Sequence, residues 1–144
     1  MDKNIIINEL KNHKPLKNAI QEVRYVSRSL LDRYFSEVPY TKNRRIWELS
    51  FFGADIAFIE KKWILEIIWE LETYKGSNFN ELKRGIRGIS SRILSDRLKE
   101  LEKNEIISRT VQDTHPPKVL YSLTEKGKGF VELMVILILF LKKI

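Results

Sequence analysis

The hydrophobic period of this chain changes from helical to two at Asn104, and that change restricts the fold more than any other feature. Before it, Leu94, Leu98 and Leu101 recur at i, i+4 and i+7, the stripe of an amphipathic helix that opens after Ser90 and runs to Lys103. After it, Ile107, Arg109 and Val111 alternate with Ser108, Thr110 and Gln112. Val119, Tyr121 and Leu123 then alternate with Lys118, Leu120 and Ser122. Period two marks strands, and the polar, proline-stiffened segment Asp113-Thr114-His115-Pro116-Pro117 between them predicts a β-hairpin with a loop longer than two residues.

Upstream, Leu82 and Ile86 predict a short helix over Asn80–Ile86, and Gly85 and Gly88 flank a tight connection to the helix that follows. Short helix, glycine turn, longer helix and hairpin form the order of a winged helix-turn-helix, in which the second helix enters the DNA major groove. Four further helices frame it. Apolar positions predict helices over Leu16–Glu37, Ile46–Ile59 and Trp63–Leu71, with a turn cluster at Lys75–Asn78, and Thr124 is placed to cap a final helix. The expected fold is mostly α (α+β): a winged helix-turn-helix with extra N-terminal and C-terminal dimerisation helices. The expected divisions are an N-terminal helical extension over 1–45, the winged domain over 46–124 and a C-terminal helix over 125–144.

Charge agrees with this reading. The 144 residues hold 26 Lys plus Arg against 19 Asp plus Glu, a net charge of +7. Between Lys75 and Lys99 stand seven basic residues (Lys75, Lys83, Arg84, Arg87, Arg92, Arg97, Lys99) and two acidic ones (Glu81, Asp96), so most of the excess falls on the motif. Such residues supply the salt-sensitive contacts to phosphate. On a helical wheel Arg92, Ser95, Asp96, Lys99 and Lys103 lie opposite the leucine stripe. Arg92 is the candidate for bidentate contact with guanine, whereas Lys99 and Lys103 suit the backbone. Asp96 on that face would accept from cytosine or restrain Arg92.

Leu133 to Leu141 is continuously apolar, but less than half the roughly 20 residues a membrane span needs. A helix apolar all round in so small a chain predicts burial against a second subunit. The N-terminal apolar run is three residues long, too short for an export signal, and the expected location is cytoplasmic. There is no cysteine, which excludes disulfides, thiolate metal sites and thiol switches. The two histidines, His13 and His115, lie far apart without a carboxylate cluster, so no metal or cofactor is expected. No phosphate loop and no nucleophile beside a base points to an enzyme. Trp47, Trp63 and Trp69 fall at positions expected to pack in the core.

The segments ISSRILSDRLKELE and PPKVLYSLTEKG, with the Lys62-Trp63 pair, resemble the HxlR family of winged-helix transcriptional regulators, relatives of the MarR group; the likeness runs from about Ser50 to Gly127. The resemblance implies a homodimer whose terminal helices pair and whose wings reach toward the minor groove. It assigns Ser91, Arg92, Ser95 and Lys99 to the recognition helix and Arg109, His115 and Lys118 to the wing. Lys83, Arg84 and Arg87 lie on the helix and turn just before. Three positions depart from the family. Ser50-Phe51-Phe52 stands where Cys-Pro-Val is common, Glu60-Lys61 replaces a Gly-Gly pair, and Glu105 replaces a glycine, leaving Asn104 to take the left-handed position.

The expected function is a homodimeric regulator that binds double-stranded DNA, with no membrane partner; the sequence names no effector. The alternative is a winged-helix adaptor between proteins of a transcription or replication assembly, a reading that masking of Arg92 and Lys99 by Asp96, Glu100 or Glu102 would favour. Peripheral attachment of the basic, apolar C-terminus to a membrane is a third possibility.

Overall fold

A computed structural model describes residues 3–143 and divides them into two compact units, one formed by residues 50–133 and the other by residues 3–49 with 134–143.

The unit of residues 50–133 is a winged helix-turn-helix. Helix α4 (Ile64–Tyr74) forms its centre, with Ile64, Ile67, Ile68 and Leu71 all buried. Helix α5 (Phe79–Gly85) adds Leu82, and helix α6 (Ser91–Lys103) adds Leu94, Leu98 and Leu101, the stripe expected from its spacing. Strands β1 (Ile107–Gln112) and β2 (Lys118–Leu123) pair antiparallel, with Ile107 opposite Leu123, Arg109 opposite Tyr121 and Val111 opposite Val119. Ser77 adds a third, one-residue rung: it exchanges both backbone hydrogen bonds with Tyr121 at 2.9 Å. This rung fixes the turn after α4 to the hairpin and accounts for the burial of Ser77.

Local chemistry sets the helix ends. Asn78 and Glu81 form a reciprocal capping box, with bonds of 2.9 and 2.8 Å, so α5 starts one residue earlier than its apolar pair suggests. Ser90 Oγ accepts the Ile93 N–H at 3.2 Å and caps α6. The turn between them passes through Gly88 at φ +89, where a side chain would be strained.

At the other end of α6 the expectation for Asn104 is corrected. Asn104 is at φ −84, and Glu105 itself takes the left-handed conformation at φ 60. The hydrogen bonds explain the choice: Ile106 N–H donates to the Leu101 carbonyl and Glu105 N–H to the Glu102 carbonyl, both at 3.0 Å. This paired closure makes Asn104 the last half-helical residue and places the positive φ one position later.

The stretch expected as one helix over Ile46–Ile59 is three pieces. Helix α3 (Lys42–Ser50) gives way to a turn of π-helix at Phe51–Asp55, and after Ile56 a short 3-10 segment spans Ala57–Glu60. Gly53 weakens the helix, and the rewound chain buries Phe58, whose ring lies 6.4 Å from that of Phe130. Trp63 is half-buried, but Trp47 and Trp69 are half exposed, so tryptophan spacing overstated the core.

Helix α7 (Glu125–Leu141) begins in this unit. Thr124 Oγ1 accepts the Gly127 N–H at 3.0 Å, as its capping position predicts, and Val131 is buried. No helix among the described residues is long and apolar enough to cross a membrane.

The second unit combines helices α1 (Lys3–Asn12) and α2 (Lys14–Glu37), α3 and the end of α7. Helix α2 starts two residues before its first apolar position, because His13 Nδ1 accepts the Leu16 N–H at 3.1 Å and Pro15 suits a first turn. Its C-terminal corner is closed by Arg44. The guanidinium lies 5.3–5.5 Å from the ring centres of Tyr34, Phe35 and Tyr40, bonds to Glu48 at 2.8 Å and donates to the Val38 carbonyl. Tyr34 also donates to Glu48, which raises its pKa above the usual tyrosine value.

Candidate nucleic-acid interface

Helix α6 buries its leucine stripe against the unit and turns Ser91, Arg92, Asp96, Lys99 and Lys103 to solvent, with Ser95 half-buried at the edge. Ser90 both ends the glycine turn and caps the helix, so the first helical turn, with Ser91 and Arg92, is held in register rather than frayed. The N-terminus of α6 carries the positive end of the helix dipole, which with Arg92 favours an anion there.

Among the described residues Arg92, Lys99, Lys103, Arg84, Arg87, Arg109 and Lys118 make no ion pair or side-chain hydrogen bond within the chain. All of them are exposed, and the next candidate, Lys83, is half-buried. Glu100, one of the acids that could have masked this face, pairs instead with Lys61 at 2.6 Å. Asp96 stays exposed beside Arg92 and Lys99 without an ion pair among the described residues.

Arg97 behaves differently from its basic neighbours. It is half-buried, and its Nε donates to the Lys62 carbonyl at 2.9 Å, so it orients α6 from behind. Sequence reasoning counted its charge and missed this role. Its partner is 35 positions away, and no spacing rule signals the contact.

The wing divides its candidates. Arg109 opposes Tyr121 and Lys118 opposes Gln112, so alternation puts the two basic residues on opposite faces of the hairpin. His115 is exposed in the connecting turn, where Thr114 Oγ1 donates to the Pro116 carbonyl at 2.8 Å. Arg109 shares one side of β1 with Ile107 and Val111. That side is buried only at Ile107; Arg109 is exposed and Val111 is 59% exposed, so the outer half of the strand stands free.

A three-helix core with a capped, basic outer helix and a two-stranded wing defines a winged helix-turn-helix protein. The family model described as HxlR-like helix-turn-helix matches residues 58–143, and the chain belongs to that family. It is a helix-turn-helix transcriptional regulator of the HxlR and MarR type. A protein named as the regulator MalR, from Fusobacterium mortiferum, is 39% identical over 103 residues, covering 72% of this chain and 84% of its own length. The reduced form of the transcriptional regulator YodB from Bacillus subtilis superposes with a TM-score of 0.51 at 38% identity, covering 58% of this chain and 84% of that one. A MarR-family regulator structure from Enterococcus faecalis gives a TM-score of 0.58 at 28% identity, covering 74% of this chain and 92% of its own. The family match begins at Phe58, so the whole N-terminal extension, residues 1–45, lies outside it.

Proposed function

We propose that the chain acts as a homodimer that binds specific double-stranded DNA in the cytoplasm. Helix α6 enters the major groove, and the wing lies along the flanking backbone or minor groove. The observation that carries this reading is the outer face of α6: Arg92, Lys99 and Lys103 are exposed and unpaired among the described residues, on a helix whose other face is buried. Ser91 and Ser95 join Arg92 at the bases. Lys83, Arg84 and Arg87 add phosphate contacts from α5 and its turn. Arg109, His115 and Lys118 serve the wing. Asp96 then acts as a selective element, repelling phosphate while accepting from cytosine or steadying Arg92.

The end of α7 supports the dimer. Leu137 and Leu141 are 56% and 68% exposed, although the sequence there calls for burial. Selection of bound sites from random duplex DNA, followed by footprinting, tests the reading. The expected site is a pseudo-palindrome with half-sites roughly one helical turn, about 34–36 Å, apart. A single unpaired half-site, or no protected site on any sequence, would overturn it.

A further inference from the structure

Within the winged unit, the end of α4, the turn after it and α5 border an open cleft of about 410 Å³, lined by residues that include Glu70, Tyr74, Ser77, Glu81, Arg84 and Gly85. Three polar side chains in it are without partners among the described residues. Glu70 is half-buried yet makes no ion pair or hydrogen bond. Arg84 is equally free, so two opposite charges share the cleft without pairing. Ser77 is 3% exposed and both its backbone groups are bonded to Tyr121, but its hydroxyl has no partner. No buried polar side-chain atom among the described residues lacks a partner, so this hydroxyl opens into the cleft. Gly85 makes room for the carboxylate: a Cβ there would lie 2.7 Å from Glu70 Oε2. A carboxylate drawn part-way out of water without a partner costs free energy, which a bound cation would recover.

We propose that this cleft binds a free amino acid, with the ammonium on Glu70 and the Ser77 hydroxyl and the carboxylate on Arg84. Each unpartnered group then gains the partner its chemistry calls for: an ammonium donates to a carboxylate and a hydroxyl, and a guanidinium takes a carboxylate in two parallel bonds. Charge excludes a simple anion. Glu70 and Glu81 stand against Arg84 alone, and Glu81 spends only Oε2 on the Asn78 N–H, at 2.8 Å. Among the described residues no three of His, Cys, Asp or Glu are grouped to hold a metal ion, so the cation that Glu70 suits is an organic ammonium. The inference goes beyond the DNA-binding reading and does not depend on it, because the ligand is measured on the protein alone. Where both hold, the ligand carboxylate occupies a guanidinium assigned above to phosphate, and bound ligand lowers DNA affinity.

The test titrates each of the common L-amino acids into the full-length protein without DNA and follows the backbone amide NMR shifts of residues 70–86. At least one amino acid should give saturable shifts there. Glu70→Gln and Arg84→Ala should each weaken its binding roughly tenfold, the loss of one charge-assisted contact. The corresponding amine without a carboxylate should bind more weakly and be indifferent to Arg84→Ala. Gly85→Ala separates binding from folding. Alanine favours the helix, and the clash falls on the movable end of Glu70, so the urea midpoint should hold while affinity drops several-fold. No saturable shift with any amino acid, or binding unchanged in Glu70→Gln, overturns the site. Binding unchanged in Arg84→Ala overturns the amino acid in favour of a plain amine. Loss of DNA binding alone would strike the earlier reading and leave this one standing.

Discussion

Arg97 Nε and the Lys62 carbonyl oxygen are 2.9 Å apart, and one turn further along the same helix Glu100 meets Lys61 at 2.6 Å. Two side chains of α6 therefore grip the short junction before α4 and set the direction in which the outer face of α6 points. Arg97→Ala removes this bond, which is itself exposed, and should lower stability by about 0.5–1.5 kcal/mol. Arg84→Ala, at an exposed and unpaired position among the described residues, should leave it unchanged. Urea denaturation midpoints compare the two; equal midpoints would show that the junction does not hold the helix.

Arg92 and Lys99 are both exposed on α6, two turns apart, and should contribute differently. Arg92→Ala should cost about 1–3 kcal/mol on the best site and relax preference at one base pair. Lys99→Ala should weaken every sequence alike and lower the salt slope by about one unit. Affinities for a specific and a scrambled duplex at several salt concentrations separate the roles. Equal losses on both duplexes would reduce Arg92 to a phosphate contact.

Gly127 cannot accept a side chain without movement. A Cβ there would lie 2.1 Å from the carbonyl oxygen of Ile106, and that oxygen already accepts the Thr124 N–H at 3.0 Å. The backbone at Ile106 is fixed by the closure of α6, so it has little room to yield. Gly127→Ala should cost about 1–3 kcal/mol, despite alanine's better helix propensity. Gly129→Ala, with nothing within 4 Å of the added methyl, should be neutral or stabilising. Thermal melting of both variants is the check.

Diamide should leave DNA affinity unchanged. Structures of Bacillus subtilis YodB include a diamide-treated form, but this chain has Ser50 where the family commonly places a cysteine, and no cysteine elsewhere. A reductant-reversible loss of binding after diamide would contradict the prediction.

The sequence by itself determined what local periodicity and capping encode. The leucine stripe of α6, its Ser90 cap, the glycine turn, the two alternating strands of the hairpin and the Thr124 cap were all legible, because each is encoded within a turn or a pleat. The outward face of the candidate site followed from the same wheel: where Leu94, Leu98 and Leu101 go inward, Arg92, Lys99 and Lys103 must go out. Tertiary structure decided what depends on residues far apart. The break after Ser50 that buries Phe58 against Phe130, and the grip of Arg97 and Glu100 on the Lys61–Lys62 junction, join positions 35 to 72 residues apart, a separation at which no repeating pattern survives. The left-handed turn at Glu105 and the open face at Arg109 and Val111 were likewise set by geometry. A hydrogen-bonded helix closure chose one position over its neighbour, and the outer half of the wing had no layer to cover it.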